Sequence, residues 1–250
     1  MNAPVLVEVC VDSVSSAIAA QRGGAARVEL CSSLIEGGIT PSAGLIELTR
    51  SAISLAVHVM IRPRAGDFCY ERHEFEIMQR DIALAKNLGA NGVVLGILDL
   101  DGRIDVDRTR HLVELARPLE VTFHRAFDMT ADLQRSLEDI FTIGVNRVLT
   151  SGGERTSWEG RAVIAQLVKQ AGSRVAIMPG SGIKPENARS LVEQTGAREI
   201  HVGLRSPVES PMRFRNPRIS MGTFEGREYE RFAVLEENVR NLCRALAEPK

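Results

Sequence analysis

The chain has 250 residues, 44% of them hydrophobic and 25% charged, with a net charge of −1. This composition is typical of a globular protein with a sizeable core, and the lack of a basic excess argues against a nucleic-acid partner. No apolar stretch approaches the ~18 residues of a membrane span, so we expect no membrane partner. The N-terminus also lacks the basic region and apolar core of a signal peptide. We therefore expect a cytoplasmic protein.

Eight short apolar runs, rich in β-branched residues, recur along the chain, and segments with helical periodicity lie between them. In chain order the predicted strands are 5–10, 26–31, 56–62, 92–98, 120–124, 147–151, 174–180 and 199–204. After the third strand, Phe75, Met78 and Ile82 follow helical spacing. Strand–helix alternation repeated eight times predicts an α/β fold, a single-domain (β/α)8 TIM-type barrel, with a doubly wound open sheet as the alternative.

The longest irregular stretch, 206–226, follows the eighth predicted strand. We expect an extended loop there that packs against the barrel mouth or a neighbouring subunit, because loops of this length are usually functional, oligomeric or mobile. A closing helix is predicted over 228–247.

Side chains along a strand alternate between its two faces. In the first strand Val7 and Val9 share one face, and Glu8 and Cys10 share the other. Because the helices need an apolar surface to pack on, the apolar faces are expected to point outward and the polar faces into the barrel. The same alternation turns further polar side chains inward, namely Glu29, Cys31, Arg62, His124 and His201.

Two interpretations of this polar interior remain open. Barrel interiors are normally filled by branched aliphatic residues, and buried charges are costly unless they are paired. One interpretation is an ion network of Glu8, Glu29 and Arg62 that only stabilises the strand register. The other is a functional site at the barrel mouth. In it Glu8, Glu29, Arg62 and His124 are candidate catalytic residues, His124 as an acid or base because the pKa of histidine lies near neutrality.

The loop after the third strand, "MIRPRAGDF", carries Arg62, Arg64 and Asp67. Two arginines at a barrel mouth suit a carboxylate or phosphate ligand. Salt bridges from these arginines to Glu8 and Glu29 are the structural alternative. We take Arg64 and Asp67 as candidate ligand-binding residues.

The sixth and seventh strands end in "TSGGE" and "PGSGIKPEN", which contain Ser151, Gly180 and Gly182. Backbone N–H groups in such a turn before a helix suit an anion, and barrels often bind phosphate after their last strands. Glycine turns are also common without a ligand. These three residues and His201 complete the candidate ligand-binding set.

The four cysteines form no CxxC pair, so the sequence has no zinc-ribbon or thioredoxin motif. Cys10 and Cys31 end neighbouring strands on the same face, and neighbouring strands lie ~4.8 Å apart. Two thiolates at this separation suit Cu(I). The alternatives are two small buried hydrophobic residues, or a disulfide, which a reducing compartment disfavours.

Six motifs in order, "EVCVDS", "VELCSSLIEGGITPS", "IRPRAGDF", "FHRAFD", "RVLTSGG" and "SPMRFRN", together resemble the CutC family. The resemblance extends over about 5–221. It implies a cytosolic (β/α)8 barrel that forms a homo-oligomer, a dimer or tetramer, and acts in copper homeostasis. It also implies Cys10 and Cys31 as Cu(I) ligands.

Two segments depart from the family pattern, "IMPGSGI" in the seventh strand and "EIHVGLRS" in the eighth. Both lie at the predicted anion site, which places a shared ligand there in doubt. The alternative function is a barrel enzyme, a hydrolase, isomerase or lyase, that acts on a small anionic metabolite.

Overall fold

The structure is a computed structural model that describes residues 4–221 and 226–247. Eight parallel strands form one sheet, and they alternate with helices as the sequence predicts. The strands are β1 Leu6–Val11, β2 Arg27–Leu30, β3 Ala56–Met60, β4 Gly92–Leu95, β5 Glu120–Phe123, β6 Arg147–Thr150, β7 Ala176–Pro179 and β8 Glu199–Val202. The helices between them are α1 Val14–Gly23, α2 Ala43–Ala52, α3 Arg72–Asn87, α4 Val106–Ala116, α5 Leu133–Ile143, α6 Arg161–Ala171 and α7 Pro185–Thr195.

The order of the strands shows that the sheet curves into a barrel. Each strand from β1 to β6 pairs with the next one in sequence, and β1 also pairs with β8. The remaining seam, between β7 and β8, is bridged by a parallel contact between Gly180 and His201. A first strand that pairs with the last is the arrangement of a (β/α)8 barrel and not of an open doubly wound sheet. The predicted single-domain barrel is confirmed.

Two separate apolar clusters reflect the alternation of side chains along the strands. The larger cluster lies between the sheet and the helices and contains Val7 and Val9. A small second cluster is formed by Cys10, Cys31, Met60 and Val94. Since alternate residues of one strand fall into different clusters, the apolar face points to the helices and the other face into the barrel.

Strand β4 makes room for two histidines inside the barrel. A Cβ atom on Gly92 would lie 2.6 Å from Nε2 of His58, and one on Gly96 would lie 2.7 Å from the ring of His124. Such contacts are too short for any larger residue, so the space beside β4 is taken by imidazole rings from β3 and from the end of β5.

An ion network, buried except for the exposed Glu120 at its edge, joins five strands of the barrel. Arg27 donates to the carboxylate of Glu8 and, at 2.7 Å, to that of Glu199. Arg147 donates to the same Glu199 carboxylate at 2.9 Å and to Glu120 at 2.8 Å. Buried charges are tolerated when each one is paired and hydrogen-bonded in this way. The network therefore links β2, β1, β8, β6 and β5.

The C-terminal part differs from the predicted loop and helix. Residues Arg205–Val208 (β9) and Arg231–Val234 (β10) form an antiparallel hairpin. The last helix, α8, spans Glu236–Ala247, so it does not begin at 228. The reason is that β10 pairs with β9, and its last residue, the buried Val234, donates its N–H to Ser16. Part of the predicted loop 206–226, residues 222–225, lies outside the described residues.

We expect Arg27→Met to lower the free energy of unfolding by about 3 kcal/mol, because it removes one of the two charged partners of each of two carboxylates, Glu8 and Glu199. Arg80→Met is the matched control, since Arg80 forms an exposed ion pair with Glu76 on α3. The control should cost about 0.5 kcal/mol or less. Urea unfolding of both variants measures the difference. Equal losses would show that the interior network stabilises the barrel no more than a surface pair does.

Candidate functional site

A cavity of about 410 Å³ lies at the carboxyl ends of the barrel strands. Strand ends and the loops after them form its wall, as expected for the mouth of a (β/α)8 barrel. Several of the residues predicted from sequence line it, namely Cys10, Glu29, Arg62, His124, Gly182 and His201. The alternation along the strands therefore brings together most of the predicted polar set.

His201 lies between two carboxyl groups. Its Nδ1 is 2.8 Å from Oε1 of Glu8, and its Nε2 is 3.8 Å from Oε2 of Glu29. Burial opposes a charge on His201, but the charges of Glu29 and Glu8 raise its pKa well above the ordinary value. Burial would likewise raise the pKa of Glu8, but the hydrogen bond from His201 and the charge of Arg27 hold it below the usual range. The result is a buried pair of opposite charges behind the cavity wall.

Glu29 differs from Glu8 in its surroundings. Burial raises the pKa of Glu29 well above the ordinary value, and the neighbouring Cys10 adds to this effect. The Oε1 atom of Glu29 has no hydrogen-bond partner. Two carboxyl groups on neighbouring strands therefore have pKa values shifted in opposite directions. Such a pair can divide the work of an acid and a base, because one group holds its proton more readily than the other.

Cys10 and Cys31 form a close pair of thiol groups. Their Sγ atoms are 3.8 Å apart, and Sγ of Cys31 is 3.4 Å from Oε2 of Glu29. Both are free cysteines. The hydrogen bond between the two thiol groups lowers the pKa of Cys10 to about 5 against the opposing effect of burial. The same bond and burial raise the pKa of Cys31.

The ligand atoms of Cys10, Glu29 and Cys31 all lie within 4.8 Å of one another, close enough to hold one metal ion. The thioether of Met60 belongs to the same interior cluster as the two thiols. Met60 was not among the residues selected from the sequence, although its place on the inward face of β3, two residues before Arg62, was an available signal.

Arg62 is buried but has no carboxylate partner among the described residues. Its guanidinium donates to the backbone carbonyls of Glu36 at 2.7 Å, Gly38 at 2.9 Å and Gly66 at 2.8 Å. Its Nε atom has no partner. The salt bridges that were the structural alternative for this arginine are therefore not formed, and three loop carbonyls hold its positive charge at the cavity wall.

His124 is buried and neutral. Its Nδ1 accepts a hydrogen bond of 3.2 Å from the backbone N–H of Ala126, so the proton of the neutral ring lies on Nε2. Burial, helped by the charge of Arg62, lowers the pKa of His124 to about 3. The sequence-based expectation of a pKa near neutrality is wrong, because it took no account of desolvation.

Three other predicted residues do not line the cavity. Arg64 and Asp67 form an ion pair of 3.1 Å with each other near the surface. Ser151 is buried, and its N–H and hydroxyl are both held by the carboxylate of Asp128, at 2.9 and 3.1 Å. That carboxylate stabilises the end of β6. A ligand-binding role for these residues stays a prediction.

The two predicted glycines of the β7–α7 turn have different surroundings. Gly182 is on the cavity wall, whereas a Cβ atom on Gly180 would lie 2.5 Å from the side chain of Leu149. Sequence reasoning did not select Phe68 and Arg205, which also line the cavity. Arg205 lies four residues after the inward-facing His201, so the strand alternation was an available signal for it, but no periodic signal marks Phe68, which lies in a loop.

The geometry can now be compared with known proteins. The model of the CutC family matches residues 5–206. This chain belongs to the CutC family. The resemblance drawn from six sequence motifs is thus confirmed, and the matched region ends within the first strand of the C-terminal hairpin.

Two relatives and one solved structure illustrate the similarity. The mouse copper homeostasis protein cutC homolog is 51% identical over 217 residues, which are 87% of this chain and 80% of the mouse protein. The family protein CutC of Chromobacterium violaceum is 45% identical over 241 residues, 96% of this chain and 98% of the relative. A CutC structure from Streptococcus agalactiae superposes with a TM-score of 0.76 at 33% identity, covering 79% of this chain and 98% of its own.

Within the described part of this CutC chain, no helix combines the length and apolar character needed to cross a membrane.

The low pKa of His124 predicts how stability changes with pH. Below about pH 6.5 the unfolded chain protonates this histidine while the folded chain does not, so acid favours unfolding by about 1.4 kcal/mol per pH unit. In His124→Asn the Oδ1 atom replaces Nδ1 as the acceptor for Ala126, and nothing titrates. The stability of wild type relative to this variant should therefore fall by about 2 kcal/mol between pH 7.5 and 5.0. Urea unfolding at both pH values tests this, and a constant difference would contradict it.

Proposed function

We propose that this CutC chain binds Cu(I) through the sulfur atoms of Cys10 and Cys31 and that it acts in copper homeostasis. The observation that supports the proposal is the 3.8 Å separation of two free Sγ atoms at the inner end of the mouth cavity. Soft thiolate ligands select Cu(I) over harder cations. The names of the mouse and human relatives, both copper homeostasis protein cutC homologs, agree with this chemistry.

The donor set fits Cu(I) better than it fits a hard cation. Cys10 and Cys31 supply two thiol sulfurs, and Met60 supplies a thioether in the same cluster. Calcium and magnesium require several oxygen ligands, but Glu29 is the only carboxyl group in the cysteine-containing set. An ion that enters from the mouth meets Cys10 first, since this residue is on the cavity wall. Cys31, which is fully buried, lies behind it.

A cytoplasmic location also belongs to the proposal. The four cysteines of the chain are all free, and thiols persist where the compartment is reducing. A reducing compartment also keeps copper as Cu(I), the form that thiolates prefer.

We further propose that the chain forms a homo-oligomer, a dimer or tetramer, through the segment 212–221. Large apolar side chains are exposed there, and Phe214 is 75% exposed. The others are Met212, Ile219 and Met221. Exposed apolar residues that lie close together in one segment often mark an interface. A second copy of the chain is the partner that symmetric assembly favours.

An anaerobic competition titration against a chromophoric Cu(I) chelator tests the copper site. Wild type should bind one Cu(I), and Cys10→Ser/Cys31→Ser should bind about 100-fold more weakly or not at all, because hydroxyl oxygen replaces both soft ligands. Met60→Leu, which conserves volume, should weaken binding by a smaller factor.

The matched control is Cys69→Ser/Cys243→Ser, which removes the two cysteines outside the site. It should bind Cu(I) as wild type does. Circular dichroism confirms that each variant is folded. If the Cys10/Cys31 variant bound Cu(I) as tightly as wild type, the copper site would have to lie elsewhere and this assignment would be wrong.

Light scattering coupled to size-exclusion chromatography tests the assembly. Wild type should elute with the mass of two or four chains, and Phe214→Ser/Met221→Ser should shift toward the monomer, because it removes apolar surface from the interface. Leu100→Ser is the control, since Leu100 is an exposed apolar residue in the loop between β4 and α4. A wild-type mass of one chain at all concentrations would contradict the proposal.

A further inference from the structure

Three buried side chains of the cavity wall carry polar atoms that have no partner among the described residues. They are Oε1 of Glu29, Nε of Arg62 and Nε2 of His124. The three residues are 2%, 6% and 3% exposed. A buried polar group without a hydrogen bond is costly, and proteins keep few of them. Three of them around one cavity indicate that the cavity is built to receive a polar ligand.

The charges on the wall show which kind of ligand fits. Four cationic side chains line the cavity, and three have a carboxylate partner. Arg125 pairs with Asp128 at 2.8 Å, Arg205 with Asp12 at 3.6 Å and His201 with Glu8 at 2.8 Å. Arg62 has no such partner in the described part of the chain. A buried guanidinium without a counter-ion is unfavourable, so Arg62 favours an anionic group of a ligand beside it.

Neither Tyr70 nor His124, which lie close to Arg62, supplies a negative charge. Burial raises the pKa of the nearby Tyr70 hydroxyl to about 12, so this hydroxyl is uncharged. His124 is neutral, and it presents an N–H donor rather than a charge. The two unused donors, Nε–H of Arg62 and Nε2–H of His124, belong to side chains that both pack against the ring of Phe68.

We propose that the cavity binds a small hydroxylated carboxylic acid as its anion. The carboxylate of the ligand accepts hydrogen bonds from Arg62 and His124, and a ligand hydroxyl bonds to Oε1 of Glu29. The ligand reaches the two donors when the Phe68 ring rotates aside. This inference concerns a ligand other than copper and does not rest on the copper proposal.

Each part of the ligand corresponds to a feature of the wall. A carboxylate has two oxygens for two donors and one charge for one unmatched arginine, whereas phosphate would bring more oxygens and more charge than these donors satisfy. A hydroxyl both donates and accepts, so it satisfies Glu29 whether or not the carboxyl group is protonated. A cavity of about 410 Å³ has the volume of a small-molecule site.

His124 is not available as a further metal ligand. Its Nδ1 accepts from the N–H of Ala126, so Nε2 carries the proton and has no lone pair to offer an ion. A tautomer with a free Nε2 would place two N–H groups against each other. The group therefore serves as a donor to a ligand oxygen.

Isothermal titration calorimetry on metal-free, reduced wild type tests the ligand class with matched pairs of acids. Glycerate is compared with propionate, and gluconate with hexanoate, so that each pair differs in its hydroxyl groups. Glycerol and inorganic phosphate are the further probes. We expect at least one hydroxy acid to bind, at least 10-fold more tightly than its deoxy partner, with glycerol and phosphate weaker than that acid.

Single substitutions of the cavity residues test which side chain contacts which part of the ligand. His124→Asn and Arg62→Met should each weaken binding of the preferred hydroxy acid about 10-fold or more, because each removes a donor to the carboxylate. Glu29→Leu should abolish the preference for the hydroxy acid over its deoxy partner. Arg103→Met is the control, since Arg103 is an exposed arginine in the loop after β4 that does not line the cavity. It should bind as wild type does.

Arg62→Met also removes the hydrogen bonds to three loop carbonyls and can unfold the loops. His124→Asn leaves those bonds intact and then carries the test alone. If none of the acids bound to wild type, the unpartnered atoms would be satisfied by water and the proposal would be wrong. Tighter binding of phosphate than of every hydroxy acid, or a His124→Asn variant with unchanged affinity, would also overturn it.

Discussion

The structure depends on one buried guanidinium. Arg27, at the start of β2, pairs with Glu8 on β1 and Glu199 on β8, which are the strands that meet when the barrel closes. Without this positive charge Glu8 would keep only His201 and Glu199 only Arg147 as a charged partner, and under-compensated buried carboxylates are unfavourable. The hydrogen bond from His201 and the charge of Arg27 together keep Glu8 ionised. Glu8 in turn orients His201, and the charges of Glu29 and Glu8 raise the pKa of His201 at the inner end of the mouth cavity.

From this point the interior divides into two chemical environments. On the side of β1 and β2, His201 approaches Glu29, and Glu29 contacts the thiol of Cys31. That side is rich in soft, polarizable sulfur. On the side of β3 and β5, Arg62 and His124 offer N–H donors beside an aromatic ring. The first environment suits a soft metal ion and the second an oxygen-rich anion. One mouth can hold both, because different strand ends supply the two sets.

Much of the fold and part of the candidate site could be predicted from the sequence. The apolar runs predicted eight strands, and the alternation within them placed Glu8, Glu29 and Cys10 inside the barrel. These predictions succeed because the two-residue period of a strand is a local property, readable without knowledge of the neighbours. The loop predicted over 206–226 and the helix predicted over 228–247 agree less well with the structure, which has a hairpin there and a helix that begins at Glu236. The pairing of β9 with β10 is a contact across more than twenty residues, and no local period marks it.

The predictions that failed concern the partners and protonation of single groups. A salt bridge from Arg62 to a glutamate was the structural alternative drawn from the sequence, but Arg62 bonds to loop carbonyls. No short sequence motif predicts the loop conformation that brings those carbonyls together. His124 was expected to titrate near neutrality, but burial lowers its pKa to about 3. Desolvation depends on everything that packs around a group, so it cannot be read from a residue and its neighbours in sequence.

The sequence by itself therefore determined the barrel, the inward face of each strand and, through its motifs, membership of the CutC family. Only the tertiary structure decided which inward groups are paired and which are left free. Arg27 and Glu8 satisfy each other, whereas Arg62 and His124 keep unused donors at the cavity. The physical reason is that strand periodicity is set by the backbone within a few residues. Hydrogen bonding and burial depend on the distances between the ends of different strands. Those distances are established only when the barrel closes.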